Sequence, residues 1–84
     1  MKTIEMLLPK EYREFFRVLD SCEEKVELVT QDGICLNMKS KLAQYVAMAR
    51  VFADKDIAEC ELVTYSDADT ARILSYFLRE AQLF

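Results

Sequence analysis

Few side chains in this chain could do chemistry: one serine in a suggestive setting, three cysteines and scattered carboxylates, with no histidine to serve as acid, base or phosphoryl carrier. The serine is Ser40, which closes the stretch Asp32-Gly33-Ile34-Cys35-Leu36-Asn37-Met38-Lys39-Ser40. Asp-Gly supplies the positive backbone dihedrals of a two-residue hairpin turn. Asn37 or Ser40 can then accept bonds from the free N–H groups that open a following helix. Ser40 is therefore expected at a helix N-terminus. There it is either an ordinary cap or a modification site, since a phosphate in that place is favoured by the helix dipole and by unpaired backbone donors.

Cys22, Cys35 and Cys60 form no CxxC pair and are odd in number, so reduced thiols are expected rather than a disulfide framework. Strand alternation predicts Cys35 and Cys60 packed as small apolar groups. Cys22, in a polar turn, is expected to react first, with no adjacent base to make it a catalytic nucleophile. Glu23, Glu24, Asp54, Asp56, Glu59 and Glu61 fall in expected turns or on the outer side of a strand, which reads as a solvated face rather than a carboxylate pair. Zinc needs about four soft or imidazole ligands. No metal and no cofactor is expected.

Composition narrows the classes further. The 84 residues suffice for one domain, 1–84, with a single two-layer core and no room for a deep lidded cleft, so no enzyme is expected. Apolar residues make up 52% of the chain, with one Gly and one Pro, which implies dense regular structure without linkers. A net charge of −4 and a pI near 4.8 oppose nonspecific binding to nucleic acid or to anionic membranes. The longest apolar run is far short of a bilayer span, and MKTIEMLLPKEY lacks the core and cleavage site of a signal peptide. A cytoplasmic location is the expectation.

The elements that must position Ser40 follow from periodicity. Thr3 to Leu8 predicts a strand, and Pro9 suits the first position of a helix. Tyr12, Phe15, Phe16 and Leu19 follow on one apolar face. Lys25 to Thr30, with Val26, Leu28 and Thr30 on one side, and Ile34 to Met38 predict a hairpin. Leu42, Tyr45, Val46, Ala49 and Phe52 keep a helical period from Ser40 onward, and Ala53 to Asp56 is a polar turn. Ile57 to Tyr65 predicts the last strand, with Cys60, Leu62 and Thr64 on one face. Ser66-Asp67-Ala68-Asp69 starts the final helix by a capping-box pattern. Its apolar stripe is Ile73, Leu74, Phe77, Leu78 and Ala81, with Arg72, Arg79 and Glu80 facing solvent. Tyr12, Phe15, Phe16, Tyr45, Phe52, Phe77 and Phe84 are expected in the core. Leu83-Phe84 either closes the core or forms a dimer contact. The order βαββαβα implies an α+β fold, an open-faced sandwich of about four antiparallel strands covered on one face by three helices.

In length, element order and local motifs the chain resembles HPr, the histidine-containing phosphocarrier of the bacterial sugar phosphotransferase system. Asp32-Gly33 followed by Leu36-Asn37-Met38-Lys39-Ser40 is similar to that family's hairpin and to the NLKS segment before its middle helix. Ala58-Glu59 through Ser66-Asp67-Ala68-Asp69 is similar to its last strand and the acidic start of its last helix. The active-site loop departs from the pattern. If Pro9 matches the family's proline, Met6 stands where the phosphoryl-accepting histidine belongs and Leu8 where the phosphate-binding arginine belongs. A thioether accepts no phosphoryl group, and a leucine offers no donors to a phosphate.

Ser40 matches the serine that HPr and Crh-type relatives present to an ATP-dependent kinase, and Crh-type proteins likewise lack the histidine. The resemblance thus implies a noncatalytic regulatory or protein-binding domain, switched by phosphorylation at Ser40, with HPr kinase or a transcription regulator as partner. Its docking surface would involve Lys39, Lys41, Leu42 and Tyr45, although Lys41 puts a charge where the family has an apolar contact. Two other readings are a diverged structural or oligomerising module and a phosphocarrier whose acceptor has moved to Ser40 or a cysteine. The oligomeric state is left open by the sequence.

Overall fold

Four short segments of alternating burial build one antiparallel sheet, and the first and last helices pack their apolar faces on it. The computed structural model describes residues 1–6, 9, 11–51 and 60–81. The elements are β1 (Lys2–Glu5), α1 (Tyr12–Asp20), β2 (Val26–Val29), β3 (Cys35–Asn37), α2 (Lys41–Val46), β4 (Glu61–Thr64) and α3 (Asp67–Ala81). A π-helical turn, Ala47–Val51, extends α2. The strand order is β1-β4-β2-β3, with every neighbouring pair antiparallel.

The register aligns one apolar row across the whole sheet: Ile4 opposes Leu62, Leu62 opposes Leu28, and Leu28 opposes Leu36. Because side chains alternate along a strand, the next rows face the other way. These are Glu5, Glu61, Val29 and Cys35, and Thr3, Val63, Glu27 and Asn37. The apolar row lies in a single core with Val26, Met38, Phe15, Leu19, Ala47, Ile73, Tyr76 and Phe77. Phe15 is its aromatic centre, 5.7 Å from the Tyr76 ring and 6.0 Å from the Phe77 ring, which joins α1 to α3.

Several expectations need correction. The hairpin does not turn on two residues: β2 and β3 leave register after Val29 and Cys35, and residues 30–34 form the connection. Gly33 N–H donates to the Thr30 carbonyl (3.1 Å) and Thr30 N–H to the Ile34 carbonyl (2.9 Å), so Asp32-Gly33 supplies the last half of a four-residue turn. Gly33 still carries the positive φ, +95°, a backbone conformation that glycine adopts without steric cost. β1 ends at Glu5, and α1 begins at Tyr12 with Glu11 as an N-cap that makes no side-chain bond, so Pro9 precedes the helix rather than opening it. β4 begins at Glu61 among the described residues.

Burial also departs from the periodic reading. On α3, Leu74 and Leu78 are exposed, and the buried stripe is Asp69, Thr70, Ile73, Tyr76 and Phe77. Arg72, expected in solvent, is half-buried against Asp69. On α2, Tyr45 and Leu42 are exposed, and the inward residue is Gln44. The expectations for Leu7, Leu8, Phe52, Asp54, Asp56, Glu59, the 53–56 turn and Leu83-Phe84 lie outside the described residues.

Candidate functional site

The hairpin delivers the chain to Ser40 through one side-chain turn and one backbone turn. Asn37 Oδ1 accepts the Lys39 N–H (3.1 Å), and the Ser40 N–H donates to the Asn37 carbonyl (3.0 Å). Ser40 has extended backbone angles, its Oγ accepts the Ala43 N–H at 3.3 Å, and its carbonyl accepts the Gln44 N–H at 2.9 Å. It is therefore a working N-cap. It is also exposed, so its hydroxyl is open to solvent while it caps.

Beyond the cap, α2 turns its apolar residues outward. Leu42 is 73% exposed, Tyr45 66% and Met48 40%, at positions i, i+3 and i+6 along one side of the helix and its π-helical extension. The reason is Gln44. Its amide Nε2 donates to the Met38 carbonyl (2.8 Å) and to Asp20 Oδ1 (2.9 Å), so a polar residue fills the inward position with its hydrogen bonds made. The apolar period of α2 thereby points away from the core.

The two lysines predicted beside Ser40 are both engaged within the chain. Lys39 is half-buried and its ammonium donates to the Cys22 carbonyl, tying the start of α2 to the turn after α1. Lys41 pairs with Asp20 on α1. Burial opposes the charge on Asp20, but the bonds from Lys41 and Gln44 outweigh it and hold its carboxyl below the usual range. Of the predicted partner-facing residues, Leu42 and Tyr45 are thus brought to one surface, and Lys39 and Lys41 anchor it.

Between α1 and α2 runs an open groove of about 560 Å³, walled by Tyr12, Phe16 and Met48 and rimmed by Arg13, Arg17 and Lys41. Met48 and the two arginines were not singled out from sequence. The signal that could have found Met48 is its place three residues after Tyr45. The arginines' only signal was their position on the polar side of α1.

The thiols sit differently from their sequence reading. Cys22 is buried, and burial together with the Asp69 charge pushes its pKa up to about 11. Cys60 is buried as expected. Cys35 is exposed, because Leu36 takes the inward place on β3. The Cys35 Sγ–H donates to Glu27 at 3.2 Å, and this bond raises its pKa. Glu27 also accepts from Tyr65 Oη, and the two bonds lower the Glu27 pKa. These are features of a solvated sheet face with no activated nucleophile.

Asp69 is a structural group that the capping-box reading only half described. The Asp69 N–H donates to Ser66 Oγ at 3.4 Å, but its carboxylate does not return to Ser66. It accepts the Glu23 and Glu24 N–H groups, each at 2.8 Å, and Arg72 at 2.8 Å. Its side chain is fully buried. Burial alone would raise its pKa, and the two backbone donors, followed by Arg72, bring it below the usual carboxylate range. Glu23 and Glu24 themselves are exposed.

Met6, which the resemblance would set against a histidine, is buried, and its N–H donates to the Cys60 carbonyl at 3.1 Å. Leu8 lies outside the described residues. Among the described residues, no group of His, Cys, Asp and Glu could hold a metal ion. Among the same residues, no helix is long and apolar enough to cross a membrane. No known family's sequence pattern matches the chain, and neither curated proteins nor solved structures yield a match.

Proposed function

We propose that this chain is a noncatalytic, HPr-like domain that works by binding a protein partner through the outward face of α2, with Ser40 as its phosphorylation switch. The observation that carries this reading is the placement of three exposed apolar side chains, Leu42, Tyr45 and Met48, immediately after an exposed capping serine. Large apolar side chains grouped on a surface mark an interaction site more often than isolated ones do. Of the rim cations Arg13, Arg17 and Lys41, the last two pair within the chain with Glu14 and Asp20, so the rim offers a partner mixed charge around an apolar centre. A phosphate on Ser40 would exchange the hydroxyl's single accepted bond for charge-assisted ones at the same helix start.

The element order and the Asn37–Ser40 approach to the middle helix support the HPr-like reading of the fold. The absence of histidine and the burial of Met6 support the loss of histidyl phosphotransfer. A titration followed by backbone amide shifts tests the docking surface, using a transcription regulator of the class that recognises seryl-phosphorylated HPr. Shifts should concentrate on residues 40–48, and Leu42→Ala and Tyr45→Ala should each weaken binding about tenfold, the loss of one well-packed anchor. Shifts confined to the sheet face, or binding untouched by both substitutions, would dismiss this surface.

A further inference from the structure

We infer that the groove between α1 and α3 binds a phosphate monoester, with the phosphoryl group held by Arg79 and Ser75 and the organic part lying toward Arg72 and Ser21. The groove measures about 360 Å³ and is lined by Val18 and Ser21 at the end of α1 and by Ala71, Arg72, Ser75 and Arg79 on α3. It shares no lining residue with the groove between α1 and α2, so it is a site apart from the docking surface on α2.

Arg79 and Ser75 offer donors that the chain itself does not use. Both are exposed, and among the described residues the Arg79 guanidinium makes no ion pair and the Ser75 hydroxyl no hydrogen bond. They stand one turn apart on the same side of α3. Helical side chains tilt toward the N-terminus, which carries Arg79 over Ser75. The edge of a guanidinium binds two oxygens at once, and the serine hydroxyl donates to a third. That set matches the three terminal oxygens of a phosphate monoester, whereas a carboxylate would leave one donor unused.

The other end of the groove holds a cation that is already positioned. The fully buried Asp69 carboxylate accepts Arg72 Nη1 at 2.8 Å, whereas the exposed Glu23 carboxylate stands 3.6 Å from Nη2, an ion pair too long for a hydrogen bond. A guanidinium carries five N–H donors, so Arg72 keeps donors for a ligand oxygen and would give up Glu23 before Asp69. Ser21 spends its own hydrogen on the Val18 carbonyl at 2.6 Å, which leaves its oxygen free to accept. A ligand hydroxyl at this end can therefore donate to Ser21 and accept from Arg72. Two turns of helix separate Arg72 from Arg79, about 10 Å along the axis, and the small side chain of Ala71 leaves the organic part room beside Val18.

The test is a titration of the full chain with glycerol phosphate, followed by backbone amide shifts, against inorganic phosphate and against sodium chloride at matched ionic strength. Saturable shifts should concentrate on residues 18–21 and 71–79, with glycerol phosphate binding more tightly than inorganic phosphate. Arg79→Gln should raise the dissociation constant about tenfold, the loss of a charge-assisted pair of bonds, and Ser75→Ala about threefold, the loss of one neutral donor. Both substitutions fall on exposed helix positions, so each variant keeps the parent's fold. Shifts that do not saturate, that chloride reproduces, or that persist unchanged in Arg79→Gln overturn the inference, as does equal affinity for the two phosphates.

Discussion

At the scale of single residues, one buried carboxylate ties α3 to the turn before β2. Asp69 accepts two backbone N–H groups of the turn before β2 and binds Arg72, all from a fully buried position. Asp69→Ala would leave those donors and Arg72 without their acceptor, and should cost about 3 kcal/mol in denaturant unfolding. The pH dependence follows from the sign of the shift. The folded pKa of Asp69 lies below its ordinary value, so its contribution is complete above the unfolded value of about 3.9 and is lost as pH falls through the lower folded value. Stability of the parent should therefore drop in that acid window more steeply than that of Asp69→Asn. Ser40→Ala, by contrast, removes one cap and should cost about 1 kcal/mol. The thiols give a third check: in the folded state one cysteine, Cys35, should alkylate, with Cys22 and Cys60 following only on unfolding, as read by intact mass. Sequence reading had Cys35 and Cys22 reversed. Ile34, Leu36 and Met38 form the apolar alternation that turns Cys35 outward, which was visible in the sequence. The burial of Cys22 under α3 depends on a contact between residues far apart in the chain, which was not.

At the scale of elements, α2 is where local pattern and tertiary structure part. Its apolar period predicts a helix, and a helix forms, but the period marks the outer face because Gln44 is the residue the core accepts. A sequence pattern reports that a helix has two unlike faces. It does not say which one meets the sheet when a polar side chain can find partners inside. Gln44→Leu, which keeps similar volume but abandons the Met38 carbonyl and Asp20, should destabilise the chain by about 1–3 kcal/mol. Leu42→Ala and Tyr45→Ala, on the outer face, should stay within about 0.5 kcal/mol of the parent. That contrast, measured in the same denaturant series, separates a packed face from a docking face. α3 shows the same limit, since Leu74 and Leu78 keep the helical period yet are exposed beside the β1 edge.

At the scale of the whole molecule, alternation and turn residues were enough to read the order of strands and helices and the α+β class. The pairing order β1-β4-β2-β3 was beyond it, because non-local pairing is decided by the joint burial of the Ile4, Leu62, Leu28 and Leu36 row rather than by any one segment. The candidate site was legible to the extent that Ser40 and the start of α2 carry local chemistry. The groove with α1 was not, since it exists only when two helices are set side by side. Ser40 is proposed as a regulatory acceptor on a domain without phosphocarrier chemistry. Intact mass after incubation with ATP and an HPr kinase from the same organism tests it most directly, with Ser40→Ala in parallel. One added phosphoryl group on the parent and none on the variant is the predicted result. An unchanged parent mass, with the kinase active on authentic HPr, would contradict that role and leave Ser40 as a helix cap alone.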